Sequence, residues 1–132
     1  MKNILALDDD PAILACIRMA VKSQGYHCTT TSSFQEFFDL LQRQPVDLVM
    51  LDVCMPQKDG FEVLRTLRVD LKIPVLFVTG YAGVFTFESH ALQELWEKEF
   101  SEGNTDILYK PFSMDNLFAK IEGLIGPAKD PP

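Results

Sequence analysis

The chain has little basic character. Twelve Lys and Arg stand against nineteen Asp and Glu, for a net charge of -7. Nonspecific binding to DNA or RNA needs clustered cations, so direct nucleic-acid binding is not expected. No apolar run approaches the ~18 residues of a membrane-spanning helix. No secretory leader is expected, since Met1-Lys2-Asn3 runs straight into the first strand-like segment. Cysteine is scarce. Cys16, Cys28 and Cys54 form no CxxC pair, and an odd count without a secretory signal points to free thiols in a reducing cytoplasm. The two histidines, His27 and His90, are too few and too far apart for a zinc site or a Ser-His-Asp triad. No GxxxxGK[ST] or GxGxxG stretch is present, which weakens nucleotide binding.

What the sequence has is a regular alternation. At 132 residues and 47% hydrophobic, it fits one domain with its own core. Asn3–Leu7 reads as a buried strand. Asp10 and Pro11 then read as cap and first position of a helix carrying Ile13, Leu14, Ile17, Ala20 and Val21. Gly25 is its stop. Tyr26–Thr31 is a second strand, and Ser33-Phe34-Gln35-Glu36 is a capping box opening a helix with Phe34, Phe37, Phe38 and Leu41 on one side. Val46–Leu51 is almost wholly apolar, as a central parallel strand is, and ends at Asp52. Cys54–Gly60 is a loop. Phe61, Leu64, Leu67 and Arg68 mark a third helix. Pro74–Val78 is a strand ending at Thr79-Gly80. Val84–Phe100 carries a fourth helix around Leu92, Leu95 and Trp96. Asp106–Tyr109 is the last strand, and Ser113 caps a final helix through Leu117, Ile121 and Ile125.

Five strands alternating with five helices predict an α/β fold, a parallel sheet with helices on both faces. Ligands of such sheets bind at the carboxyl ends of the strands. The residues there are Asp8 and Asp9, Asp52, Thr79 and Lys110. Three acids, a hydroxyl and an ammonium suit a hard cation and a phosphoryl group. All-oxygen donors favour Mg²⁺. Each feature has a plainer reading. The acidic triplet also fits a solvated turn, Lys110 a surface lysine, and Thr79 a β-branched strand end. Phe34, Phe37 and Phe38 read as core, and Trp96 as helix packing or an interface anchor. Glu94, Glu97, Glu99 and Glu102 read as a solvated helical face.

Four motifs in order carry a family resemblance: Ile4-Leu5-Ala6-Leu7-Asp8-Asp9-Asp10-Pro11; Asp47–Pro56 with Asp59-Gly60; Val78-Thr79-Gly80; and Lys110-Pro111-Phe112. Together they resemble a response-regulator receiver domain, over residues 2 to about 126. The resemblance implies a flavodoxin-like sheet of order 2-1-3-4-5, with residues 1–126 as receiver and 127–132 as a Pro-rich tail or linker. It implies Asp52 as phosphoacceptor from a histidine kinase or phosphotransfer protein. Asp9, Asp52 and the backbone carbonyl of Cys54 would ligate Mg²⁺, with Asp8 acting mostly through water. Lys110, before a cis proline, would contact the acyl phosphate, and Thr79 would couple modification to the outer face.

Two departures stand out. Thr79 and Lys110 lie 31 positions apart. That lengthens the fourth-helix region by roughly two turns at ~3.6 residues per turn. Ile107 occupies the position where the family often carries an aromatic switch. The expected function is a phosphorelay switch rather than a turnover enzyme, signalling to an effector or through a phosphorylation-dependent homodimer. The alternative is a receiver-like interaction module that works without phosphorylation. An aspartyl phosphatase ranks lower, because the second acid of that chemistry would fall at Cys54.

Overall fold

In the computed structural model of the chain, the described residues are 2–53, 60–80, 94, 97–99, 101–102 and 104–128, without the side chains of Phe61 and Asp70. The loop Cys54–Asp59, His90, Trp96, most of the expected Val84–Phe100 helix and the tail past Ala128 lie outside them.

The elements are β1 (Asn3–Leu7), α1 (Pro11–Ser23), β2 (His27–Thr31), α2 (Phe34–Arg43), β3 (Leu48–Asp52), α3 (Gly60–Asp70), β4 (Val75–Thr79), β5 (Thr105–Tyr109) and the C-terminal helix α4 (Met114–Ile125). All pairings are parallel, and the strand order is β2-β1-β3-β4-β5. The fold is the expected flavodoxin-like sheet.

Local chemistry sets the helix starts. The Asp10 side chain accepts the Ala12 N–H with Pro11 in the first turn, and Ser33 and Ser113 accept the N–H groups of Glu36 and Asn116. α1 ends where Gly25 takes a positive φ of 94°, a conformation that costs glycine little.

Strand periodicity splits the core in two. Even-numbered residues Ile4, Ala6, Leu48, Met50, Leu76 and Val78 face Leu14, Ile17 and Val21 of α1 and Leu117 and Ile121 of α4. Odd-numbered residues Leu5, Leu7, Val49, Leu51, Val75 and Phe77 face Phe37 of α2 and Val63, Leu64 and Leu67 of α3. The three inner strands, β1, β3 and β4, are therefore apolar on both faces, which is why they read as nearly continuous runs rather than alternating ones. Burying each large aliphatic side chain contributes about 1.5–3 kcal/mol before entropy is counted. Of the phenylalanines on α2, Phe37 is fully buried, and Phe34 and Phe38 pack half-buried against the same cluster. At the amino-terminal pole, Lys2 Nζ donates to the Ile125 carbonyl and Tyr26 Oη to the Gly126 carbonyl at 2.9 Å.

One sequence reading is corrected. Glu94, Glu97 and Glu102 are exposed, but Glu99 is buried at 3% exposure. Its carboxylate takes Arg68 Nε at 2.6 Å and Nη2 at 2.9 Å, and Thr105 Oγ1 at 2.7 Å. Arg68 follows Leu64 and Leu67 on the inward side of α3, so its guanidinium needs a buried anionic partner. Glu99 meets that need instead of facing solvent.

Candidate functional site

The register builds the site. β1 and β3 pair Leu7 with Leu51, so Asp8 and Asp52 stand level on adjacent strands, whose spacing is about 4.8 Å. Both are in phase with Ala6 and Met50, which face α1 and α4, so both carboxylates emerge on one side of the sheet. Asp8 is 2% exposed and Asp52 is also buried, while Asp9 is exposed. One carboxylate oxygen from each of Asp8, Asp9 and Asp52 lies within 4.8 Å of the others. The Asp8 carboxylate is held by the Asp10 backbone N–H at 2.9 Å. Asp10 is therefore more than a helix cap: its main chain also orients the neighbouring acid.

Lys110 follows β5, and its N–H donates to the Thr79 carbonyl at 2.7 Å, which aligns the ends of β4 and β5. From there its side chain crosses β4. Nζ reaches Asp8 Oδ2 at 3.2 Å and Asp52 Oδ2 at 3.8 Å. The Lys110–Pro111 peptide is cis. Thr79 is buried as the last residue of β4, one step beyond the row containing Asp52 and Val78. Among the described residues, a Cβ at Gly80 would meet the Lys110 Cβ at 3.7 Å, an ordinary van der Waals contact.

Asp8, Asp9, Asp52, Thr79 and Lys110 thus meet at one pole. Cys54 lies outside the described residues. Ile107 packs against the α2–α3 core, and Tyr109 is exposed at the end of the edge strand.

Among the described residues, three carboxylates face one ammonium, leaving two formal negative charges. Two carboxylates at this separation repel by about 3 kcal/mol at an effective dielectric near 20. The donors are all oxygen and one acid is open to water. That donor set fits a hard, partly hydrated divalent cation such as Mg²⁺.

Gly60 is a residue whose importance the sequence reading understated. The sequence places it at the end of the Cys54–Gly60 loop and in the Asp59-Gly60 motif, without a packing role. A Cβ there would stand 2.8 Å from the Asp52 carbonyl oxygen and 3.0 Å from the Val53 Cα. Its N–H donates to the Val53 carbonyl at 2.9 Å. Only glycine lets α3 start this close to the end of β3.

The sequence model described as the response regulator receiver domain matches residues 4–122. The cell cycle response regulator CtrA of Brucella ovis and that of Brucella canis are each 33% identical to the chain over 128 residues, covering 96% of this chain and 51% of theirs. The chain spans about half the length of these curated relatives. Among solved structures, the Vibrio cholerae chemotaxis protein CheY4 is similar at a TM-score of 0.76 and 26% identity, covering 94% of this chain and 98% of that one. Full-length FixJ of B. japonicum is similar at a TM-score of 0.74 and 32% identity, covering 94% of this chain and 57% of that one.

Proposed function

The chain belongs to the response-regulator receiver family, and on that premise we propose that Asp52 is its phosphoacceptor. The donor is the phosphohistidine of a histidine kinase or phosphotransfer protein. An Asp52 carboxylate oxygen attacks phosphorus, an O–P bond forms and the P–N bond breaks. The electron pair stays on the imidazole nitrogen, which takes a proton from solvent. The product is an acyl phosphate on Asp52 and a free histidine.

Asp8, Asp9 and Asp52, with the Cys54 backbone carbonyl, would hold Mg²⁺. Bound there, the ion would neutralise the acids and draw charge from the phosphoryl oxygens. Lys110 turns its ammonium from Asp8 and Asp52 to a phosphoryl oxygen, and Thr79 donates its hydroxyl to another. Catalysis is positioning and charge compensation. The switch promotes its own phosphorylation and dephosphorylation and works in the cytoplasm. Residues 1–126 form the receiver unit and 127–132 a tail or linker.

The observation that supports this most is that three carboxylates share a 4.8 Å cluster with Lys110 bonded into it. The test is acetyl phosphate with Mg²⁺, read by intact-protein mass. One phosphoryl group is expected, lost on removal of Mg²⁺ and in Asp52→Ala. Full, stable labelling of Asp52→Ala overturns the assignment. Equal partner binding with and without phosphorylation would favour the phosphorylation-independent module. Size-exclusion chromatography with beryllofluoride reads whether the output is a homodimer.

A further inference from the structure

The Arg68–Glu99–Thr105 group, with Glu99 and Thr105 buried and Arg68 half-buried, takes no part in the chemistry above, yet it sits at the far end of the strand that delivers Lys110. Among the described residues β5 is an edge strand, paired with β4. Its first residue, Thr105, donates to Glu99, and Glu99 grips Arg68 with both oxygens. Arg68 Nη1 also donates to the Leu71 carbonyl at 3.2 Å, and Asn104 Nδ2 to the Lys72 carbonyl at 3.0 Å. The end of α3 and the start of β5 are therefore tied together. The opposite end of α3 is Gly60, seated against the Asp52 carbonyl. The opposite end of β5 leads into Lys110.

We propose that Arg68 and Glu99 are positioning residues for Lys110: they brace the amino end of β5 against α3 and so hold the ammonium at its distance from Asp8 and Asp52. The brace and Lys110 are about 17 Å apart along the strand at ~3.3 Å per residue. A slight tilt at one end becomes an ångström-scale displacement at the other. Lys110 is already 3.8 Å from Asp52, the outer limit of an ion-pair contact. What Lys110 does for phosphoryl transfer rests on the function proposed above; where it sits does not.

The test is a double-mutant cycle on the full chain, with Mg²⁺ alone as probe and calorimetric affinity as readout. Lys110→Ala removes a cation beside the acids and tightens Mg²⁺ binding, by roughly 5-fold. Glu99→Gln loosens the brace and tightens Mg²⁺ by roughly 2-fold when Lys110 is present, and not at all in the Lys110→Ala background. Thr105→Val keeps the Arg68–Glu99 pair and the strand propensity. It gives the same pattern with a smaller amplitude, and it serves if Glu99→Gln does not fold. Equal changes in both backgrounds, or none with Lys110 present, overturn the brace. Labelling of Asp52 by acetyl phosphate slows by roughly 3- to 10-fold in Glu99→Gln. A parent chain that takes no phosphate while the Mg²⁺ cycle shows coupling would sink the phosphoacceptor reading and leave the brace standing.

Discussion

Two groups of charges lie near opposite ends of the sheet, and they are built on opposite terms. At the amino pole, Arg68 and Glu99 are matched one to one, with both carboxylate oxygens taken by hydrogen bonds. At the carboxyl pole, three acids crowd one lysine. The first arrangement is complete without any ligand. The second, among the described residues, is left short of positive charge, so it gains by taking up a cation. Charge balance therefore separates a structural contact from a candidate site better than burial does, because Asp8 and Glu99 are almost equally inaccessible.

The largest test breaks the balanced group. Replacing Glu99 by Leu leaves a largely buried guanidinium without its carboxylate and is expected to cost about 3 kcal/mol in urea unfolding. The double replacement Arg68→Met with Glu99→Leu removes both charges and should recover most of that loss. Next, saturating Mg²⁺ should stabilise the native chain by about 2.7 kcal/mol at 100 times its dissociation constant, and should leave Asp9→Asn much less affected.

Asp9→Asn should itself raise stability without divalent cation, by about 1 kcal/mol or less because Asp9 is exposed and screened. A loss of stability there would mean the acids do not oppose one another. The same comparison has a pH arm. Burial pushes the Glu99 carboxyl up, but the hydrogen bonds from Arg68 and Thr105, with the guanidinium charge, outweigh it and hold the group below its ordinary 4.5. Its contribution is complete above about that pH and is lost as pH falls through the lowered value. Glu99→Gln should therefore flatten the acid limb of the stability curve.

The smallest effect is read at the thiols. Burial pushes Cys28 up to about 11, against the lowering influence of Arg18 and Lys22, while Cys16 is exposed. Iodoacetamide should modify Cys16 in the native chain and reach Cys28 only on unfolding. The Cys28 contribution to stability is full below the ordinary 9.0 and is lost as pH rises toward 11.

Much of this was legible in the sequence. Apolar runs of five or six closed by an acid or a hydroxyl marked the three inner strands and their carboxyl ends together. A parallel fold then gathers those ends at one pole whatever their spacing. The strand order came from the family resemblance, since periodicity alone does not rank neighbours. Glu99 was missed because four glutamates in nine positions read as one polar face. At about 100° per residue, Glu99 lies on the far side of a helix from Glu97. The usable signal was Arg68: an arginine in phase with Leu64 and Leu67 calls for a buried carboxylate. Gly60 was missed in part because its role is a contact with the Asp52 carbonyl, which no local pattern encodes.

The contact between Lys2 and the Ile125 carbonyl, with Tyr26 holding Gly126, brings the first strand and the last helix together at the pole away from the acids. Joining those two points with a short glycine-serine bridge would close the backbone into a ring without crossing the sheet. New ends could then be opened between Gln44 and Pro45, in the exposed turn after α2. Such a circular permutant is expected to fold and to keep its carboxylate cluster, because the site depends on which strands lie side by side rather than on where the polypeptide begins.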